Sequence, residues 1–238
     1  MKNSTIDLFM PFSTMLGNLQ IVDSWVTSGG IGQVNLWSND SSAVGNMPEY
    51  ARVLCVNSLA DTSLFAEMAT EAHSDFVLYV AKEGVTLPSS DVLQRMLAAM
   101  QNDNSVMLYS DCYKWTNGVR EEAAVIDYQC GSLRNDFDFG SLLVFRTSAL
   151  KKYLAQIIEE YKYAGFYQLR LALSRIGEFT HFKEFTYEEC EDDNRNSGEK
   201  QFDYVNPAQR DVQIEMEKVC TAHLKEIGGY LRPYKYED

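Results

Sequence analysis

The chain has 238 residues, of which 45% are hydrophobic and 23% charged, a composition that excludes a disordered chain and fits a folded domain. Its 34 acidic residues outnumber 21 basic ones and give a net charge of −13 at pH 7. Because such a surface repels phosphate backbones and anionic lipid headgroups, we expect neither a nucleic-acid partner nor binding to a membrane surface.

The sequence also bears on compartment and metal chemistry. No apolar run approaches the roughly 18–20 residues that cross a bilayer, so we predict no membrane span. Asp7 interrupts the first apolar stretch, which argues against a signal peptide and favours a cytoplasmic location. The five cysteines are odd in number and include no Cys-x-x-Cys pair, so the sequence predicts neither a disulfide framework nor a thiolate zinc site.

In the first half of the chain, short β-branched or aromatic runs alternate with helical periodicity. The runs predict strands at 6–12, 33–38, 52–56, 76–80 and 106–109. The periodic segments predict helices that begin after an N-cap at Asn18 and that pass through 64–69 and 91–101. Strands that are apolar on both faces and are separated by helices predict an α/β fold with a mostly parallel sheet flanked by helices.

The pattern changes in the second half. Asn117-Gly118 predicts a tight turn. Further strands are predicted at 141–145 and 179–187, with two helices between them, one at 148–163 and one passing through 167–173. The acidic stretch 188–200 predicts a loop, and Pro207 begins a last helix that ends at Gly228. We therefore predict an α/β domain at 1–187 and an extension at 188–238, whose helix packs on that domain or on a neighbouring module.

Ligands of open α/β sheets bind where strands end at their carboxyl edge. The polar residues just after the predicted strands are therefore candidate site residues: Ser13, Thr14, Asn39, Asp40, Asn57, Lys82, Glu83, Ser110 and Asp111. This edge is where we expect the functional site.

A second group of candidates lies before the strand at 141–145. Asp136 and Asp138 are two residues apart on an extended segment and so point to the same side, with Arg134 close by. Such a group can hold a divalent cation, position a sugar hydroxyl or act as a base. Alternatively, the two acids cap turns and Arg134 forms an ion pair with one of them.

Several segments follow one another in a familiar order: the strand with Pro11, the strand ending at Asp40, the apolar strand 76–80, the strand end at Asp111, and 140–150 (GSLLVFRTSAL). In this order the sequence resembles the GT-A fold of family-two glycosyltransferases, and 140–150 is similar to a small-apolar-Phe-Arg-x-x-Ala-Leu segment of that family. Residues 197–205 look like a subset from bacterial polysaccharide loci, in which a second glycosyltransferase module tends to follow. The resemblance implies a GT-A-like nucleotide-diphospho-sugar transferase with a nucleotide sugar and a glycan acceptor as partners.

The sequence departs from the family at two motifs. The family places Asp-x-Asp after the fourth strand to hold Mn²⁺ or Mg²⁺ on the diphosphate, and the matching triplet here is Ala81-Lys82-Glu83. Glu83 keeps one metal ligand, while Lys82 can neutralise phosphate directly. The stretch matching the family's catalytic base is 165–171, which has no acid.

From the resemblance we expect Asn39 and Asp40 near the nucleoside and Lys82 and Glu83 near the diphosphate. On the acceptor side we expect Arg134 to bind substrate and a carboxylate from the set Asp111, Asp136 and Asp138 to act as base. Two alternatives stay open. The loss of both motifs favours a catalytically degenerate binding or docking module, and a nucleotidyltransferase is disfavoured because 13–17 is no Gly-rich phosphate loop.

Overall fold

The computed structural model describes residues 5–38, 48–56, 58–102, 104–190 and 210–232. The predicted site residues Asn39, Asp40 and Asn57 lie outside this part of the chain. The strands are β1 (Ile6–Pro11), β2 (Ile31–Ser38), β3 (Ala51–Cys55), β4 (Phe76–Val80), β5 (Val85–Thr86), β6 (Ser105–Thr116), β7 (Val119–Ala123), β8 (Leu142–Arg146) and β9 (Glu178–Cys190). The helices are α1 (Phe12–Thr27), α2 (Thr62–Glu71), α3 (Ser90–Asn102), α4 (Thr147–Leu154), α5 (Gly165–Ser174) and α6 (Arg210–Glu226).

The strands form a single sheet in the order β3-β2-β1-β4-β8-β6-β9-β5, and β7 pairs with β6 outside this path. The strands β1 to β4 run parallel, as do β6 and β9, and β8 lies antiparallel between β4 and β6. The carboxyl ends of the parallel strands therefore share one edge of the sheet with the amino end of β8. This architecture confirms the predicted α/β class with a mostly parallel sheet.

Helices cover both faces of the sheet, and each face has its own core. On one face, α1 and α3 pack against residues such as Leu78, while α2, α4 and α5 pack on the other face against residues such as Val77. These two neighbours in β4 are fully buried on opposite faces. Burial on both faces explains why the strand is an uninterrupted apolar run.

The predicted N-cap at Asn18 is wrong, since this residue lies in the middle of α1. Its side-chain nitrogen donates to the carbonyl of Val85 at 2.8 Å, and its Oδ1 accepts the N–H of Leu87 at 2.7 Å. Asn18 thus attaches α1 to the segment after β4 through both atoms of its side-chain amide. Helix α1 itself begins immediately after Pro11.

Two boundaries also differ from the sequence prediction. The helix predicted over 148–163 ends at Leu154, and an irregular segment connects it to α5. The first three residues of the loop predicted at 188–200 belong to β9, which continues to Cys190 by pairing with β6 and β5, and the rest of that stretch lies outside the described residues. The boundary drawn after residue 187 therefore falls within β9, while the division into a domain and an extension stays a prediction.

Helix α6 packs against α5. Its buried Val219 joins a small third core with Tyr161, Ala164, Tyr167 and Leu171. The Glu215 carboxylate accepts the backbone N–H groups of residues 162 to 164 at 2.7–3.2 Å. Within the described chain, none of the helices is long and apolar enough to cross a lipid bilayer.

Candidate functional site

Two lysines share one buried carboxylate at the carboxyl edge of the sheet. Lys82 Nζ lies 2.9 Å from Glu189 Oε2, and Lys114 Nζ lies 3.4 Å from Glu189 Oε1. Ser141 Oγ donates to Glu189 Oε2 at 2.6 Å. The Glu189 side chain is 3% exposed, whereas those of Lys82 and Lys114 are 43% and 34% exposed. The two lysines of this Lys82–Glu189–Lys114 cluster therefore lie between a buried anion and solvent.

Four elements position the cluster. Lys114 and Glu189 are register partners on the adjacent parallel strands β6 and β9. Lys82 follows β4 by two residues, and Ser141 directly precedes β8, whose first residue pairs with the last of β4. The sheet order thus brings together residues that are up to about a hundred positions apart in sequence.

The charges of the cluster stabilise one another. Burial raises the pKa of the Glu189 carboxyl, but hydrogen bonds from Ser141 and Lys82 and the charges of both lysines outweigh it, so the pKa lies below its ordinary value. Burial lowers the pKa of Lys114, but the carboxylates of Glu189 and Asp138 outweigh burial and raise it. Glu189 is therefore an anion at neutral pH, and Lys114 a cation.

A layer of buried groups supports the cluster from the core side. Tyr187 Oη accepts the backbone N–H of Ser141 at 2.6 Å. Burial, followed by the charge of Glu189, raises the pKa of the neighbouring Cys112 to about 11, so this thiol is neutral. Gly140 has φ +75°, and a Cβ at this position would lie 2.4 Å from Tyr187 Oη. The approach of the segment before β8 to Tyr187 therefore requires glycine.

Helix α1 begins at the same edge of the sheet, directly after β1. Its N-cap is Pro11, and no side chain caps the first turn. Thr14 in that turn is buried, and its Oγ1 has no hydrogen-bond partner among the described residues, whereas Ser13 is exposed. Free N–H groups at a helix N-terminus are suited to binding an anion such as phosphate.

The predicted pair Asp136 and Asp138 makes two different local contacts. Arg134 donates from Nε and Nη2 to both carboxylate oxygens of Asp136 at 3.0 Å. This bidentate contact lowers the pKa of Asp136 and raises that of Arg134. Asp138 Oδ1 accepts the N–H of Gly140 at 2.8 Å, and its charge acts on Lys114. Of these two acids, Asp138 is the one that interacts with the cluster.

Asp111 lies on the opposite face of β6 from Lys114. Its Oδ1 accepts hydrogen bonds from His181 Nε2 and from the N–H of Val125, both at 2.9 Å. The His181 ring stacks on Tyr109, which belongs to the core beneath α2, α4 and α5. The sheet therefore separates Asp111 from the cluster, and its contacts hold the segment after β7 in place.

The stretch that matches the family's catalytic base forms the start of α5. Its Gln168 donates from Nε2 to the carbonyl of Glu159 at 2.9 Å. The Oε1 of Gln168 accepts the hydroxyls of Thr62 at 2.9 Å and Tyr153 at 3.2 Å. These contacts join α5 to α2 and α4, so Gln168 has a structural role.

The residues at the family's metal position do not fit a divalent cation. Ala81 has no ligand atom, and Lys82 brings a positive charge next to the exposed Glu83. Glu189 already accepts from Ser141 and two lysines. Across the residues that the structure describes, no group of three or more His, Cys, Asp or Glu side chains could hold a metal ion. Among the described residues, the predicted Mn²⁺ or Mg²⁺ ligand Glu83 thus lacks partners that would complete a site.

Sequence reasoning missed Lys114 and Glu189. Lys114 lies on a strand that was predicted to end at 109, and Glu189 lies in the stretch predicted as a loop. The alternation of aromatic and polar residues over 113–116 (YKWT) was the signal available for the longer strand. The contact between them depends on the pairing of β6 with β9, which the sequence pattern does not specify.

No family model matches the sequence, and no curated protein matches it. Among solved structures, a mycobacterial protein is similar with a TM-score of 0.52 and 12% identity, over 94% of this chain and 75% of that protein. Mannosyl-3-phosphoglycerate synthase from Rubrobacter xylanophilus gives 0.49 and 11% over 97% of this chain and 77% of the synthase. CMP:2-keto-3-deoxy-manno-octonic acid synthetase in complex with CTP gives 0.47 and 12% over 77% of this chain and 91% of the synthetase.

At these identities, similarity establishes a shared fold and nothing further. The fold is shared with the mycobacterial protein, whose TM-score is 0.52, while the other two TM-scores are lower. The strand order with the antiparallel β8 confirms the expected α/β fold with a mostly parallel sheet flanked by helices.

Proposed function

We propose that the chain is a glycosyltransferase that binds a nucleotide-diphospho-sugar at the carboxyl edge of the sheet and transfers the sugar to a hydroxyl of a glycan acceptor. The observation that carries this proposal is the Lys82–Glu189–Lys114 cluster directly after β4. Two partly exposed ammonium groups at this edge suit the diphosphate of such a donor.

The start of α1 supports the same location. In the part of the chain that the structure describes, its first turn has no side-chain cap and the Thr14 hydroxyl has no hydrogen-bond partner. Backbone N–H groups there supply further donors for a phosphate or for the nucleoside. Asn39 and Asp40, which follow β2, stay proposed as nucleoside-binding residues.

The proposed reaction is an in-line displacement at the anomeric carbon. The acceptor oxygen forms a bond to this carbon while the carbon–oxygen bond to the diphosphate breaks, and the nucleoside diphosphate leaves with the electron pair. Lys82 and Lys114 stabilise the charge that develops on the leaving group. The hydroxyl proton passes to a carboxylate within hydrogen-bond reach of the acceptor.

Asp138 is the best candidate for that base. It interacts with Lys114, whereas Asp111 lies on the other face of β6 and Asp136 is engaged by both donors of Arg134. Arg134 and Asp136 are exposed on the same segment. We assign them to binding of the acceptor.

A binding and transfer assay tests the proposal. Uridine, guanosine, cytidine and thymidine diphospho-sugars are screened by thermal shift, and the donor that binds is then assayed for release of nucleoside diphosphate. A donor at about 100 times its Kd stabilises the fold by about 2.7 kcal/mol. We expect Asp138→Asn to retain this stabilisation and to lower turnover about 100-fold or more. Failure of every donor to stabilise the chain would contradict the proposal.

A second candidate is a GT-A-like module that binds a nucleotide sugar without turning it over. It is favoured by the structural role of Gln168 at the position matching the family's base. The same assay distinguishes the two functions, because such a module is stabilised by the donor but releases no nucleoside diphosphate. In that case α6 becomes the candidate surface for a catalytic neighbour.

A further inference from the structure

We infer that Lys82 and Lys114, organised by the buried Glu189, hold the donor diphosphate directly, without a bridging divalent cation. This inference rests on the proposed function and concerns the same edge of the sheet. The resemblance implies a divalent cation after β4, but the side chains at that position do not suit one.

A bridging metal needs several oxygen ligands from the protein or the substrate. The triplet after β4 offers the single carboxylate of Glu83, preceded by the ammonium of Lys82. A divalent cation next to Lys82 would meet charge repulsion. The positive charge that the family draws from a metal is therefore already present on the chain.

Glu189 gives the two lysines a fixed arrangement. Each ammonium contacts a different oxygen of one carboxylate, so the two lie side by side. The hydrogen bond from Ser141 holds the carboxylate from the buried side. Among the ion pairs of the described chain, Glu189 is the carboxylate that two lysines share. Such an arrangement lowers the entropy cost of directing two flexible side chains at one ligand.

The charge of the cluster suits an anion that arrives with its own hydrogen-bond acceptors. The two lysines and Glu189 leave one positive charge, part of which Asp138 offsets at Lys114. The ammonium groups are strong donors, and each still has capacity for a phosphate oxygen beside its bond to Glu189. The affinity for the diphosphate therefore comes from short-range hydrogen bonds to the two lysines and not from the charge of the whole chain, which is −13.

Isothermal titration of the full chain with inorganic pyrophosphate and with UDP, GDP, CDP and dTDP tests the inference, once with EDTA and once with Mn²⁺. We expect binding of a nucleoside diphosphate in EDTA that Mn²⁺ does not strengthen. Lys114→Met is expected to weaken it about 10-fold to 100-fold, and Lys114→Arg to restore most of it, because the charge is kept. Lys82→Met provides a second variant if Lys114→Met does not fold.

The matched control is Lys218→Met, which removes an exposed lysine paired with Glu159 on α6. It should bind like the wild type. Binding that occurs only with Mn²⁺, or that is unchanged in both lysine variants, would overturn the inference and leave the proposed function standing. Absence of binding to every nucleoside diphosphate under both conditions would overturn both.

Discussion

Glu189 shows how a single buried charge can be kept in a sheet. An unpaired carboxylate at this depth costs several kcal/mol, but three donors and two positive charges surround this one. The lysines remain partly exposed, so they keep much of their hydration. The carboxylate consequently acts as a fixed anchor for groups that face the ligand.

The lowered pKa of Glu189 makes part of the fold's stability dependent on pH. Its contribution is fully present above the unfolded value of 4.5 and is lost as pH falls through the lower, folded value. We predict that Glu189→Gln lowers the unfolding free energy by about 1–3 kcal/mol at neutral pH. The difference from wild type should shrink as pH falls below 4.5. Urea unfolding of both proteins across this range measures it.

Glu160→Gln serves as the control, because this carboxylate is exposed. A wild-type advantage over Glu189→Gln that stayed constant down to about pH 3 would show that the charge of Glu189 does not provide the stabilisation.

At the scale of elements, α5 is held against α2 by a close backbone approach. The N–H of Gly165 donates to the carbonyl of Ala60 at 2.9 Å. A Cβ on Gly165 would lie 2.5 Å from the backbone of Asp61 and Thr62. Neither backbone can move without disturbing the start of its helix, so only glycine fits here.

We predict that Gly165→Ala destabilises the protein by about 1–3 kcal/mol through this collision. Gly17→Ala is the matched control, since Gly17 lies within α1 and a Cβ there meets nothing within 4 Å. That variant should gain up to about 1 kcal/mol from the higher helix propensity of alanine. Equal effects of both substitutions in chemical unfolding would refute the packing argument.

Helix α6 introduces a second pH-sensitive contact. His223 Nδ1 lies 2.9 Å from Arg175 Nη1. Burial, followed by the charges of Arg175 and Arg170, lowers the pKa of His223. The folded chain therefore holds a neutral imidazole, and stability falls as pH drops below the unfolded value of 6.5.

Substitution of His223 by glutamine removes this titration and keeps an acceptor for Arg175. We predict that His223→Gln loses less stability than wild type between about pH 7.5 and pH 5.5, as followed by thermal unfolding. Parallel losses in the two proteins would mean that protonation of His223 is not coupled to the fold.

Features of the fold that depend only on residues adjacent in the chain could be predicted from the sequence, and features that depend on distant residues could not. The strand β4 and the turn at Asn117-Gly118, with φ of 53° and 78°, follow from residues adjacent in the chain. Asn18 was mistaken for a cap because its partner at Val85 is 67 residues away. Glu189 was assigned to a loop for the same reason, since Ser141 and Lys82 reach it only once the sheet has formed.

At the scale of the whole molecule, the sheet order concentrates polar chemistry at one edge. The Lys82–Glu189–Lys114 cluster, Asp138 and the start of α1 all lie near the carboxyl ends of the parallel strands. Two cavities, of about 360 and 410 Å³, flank α6 in the outer helical layer, and no residue of the cluster lines them. Each of them is large enough for a small ligand and is therefore an alternative binding site to the Lys82–Glu189–Lys114 cluster.

A crystal structure of the chain soaked with a nucleoside diphosphate shows whether the Lys82–Glu189–Lys114 cluster binds the diphosphate. We expect density for both phosphates against the ammonium groups of Lys82 and Lys114, with the nucleoside extending toward the start of α1. A well-ordered diphosphate in either cavity beside α6, with the cluster free of phosphate, would contradict it.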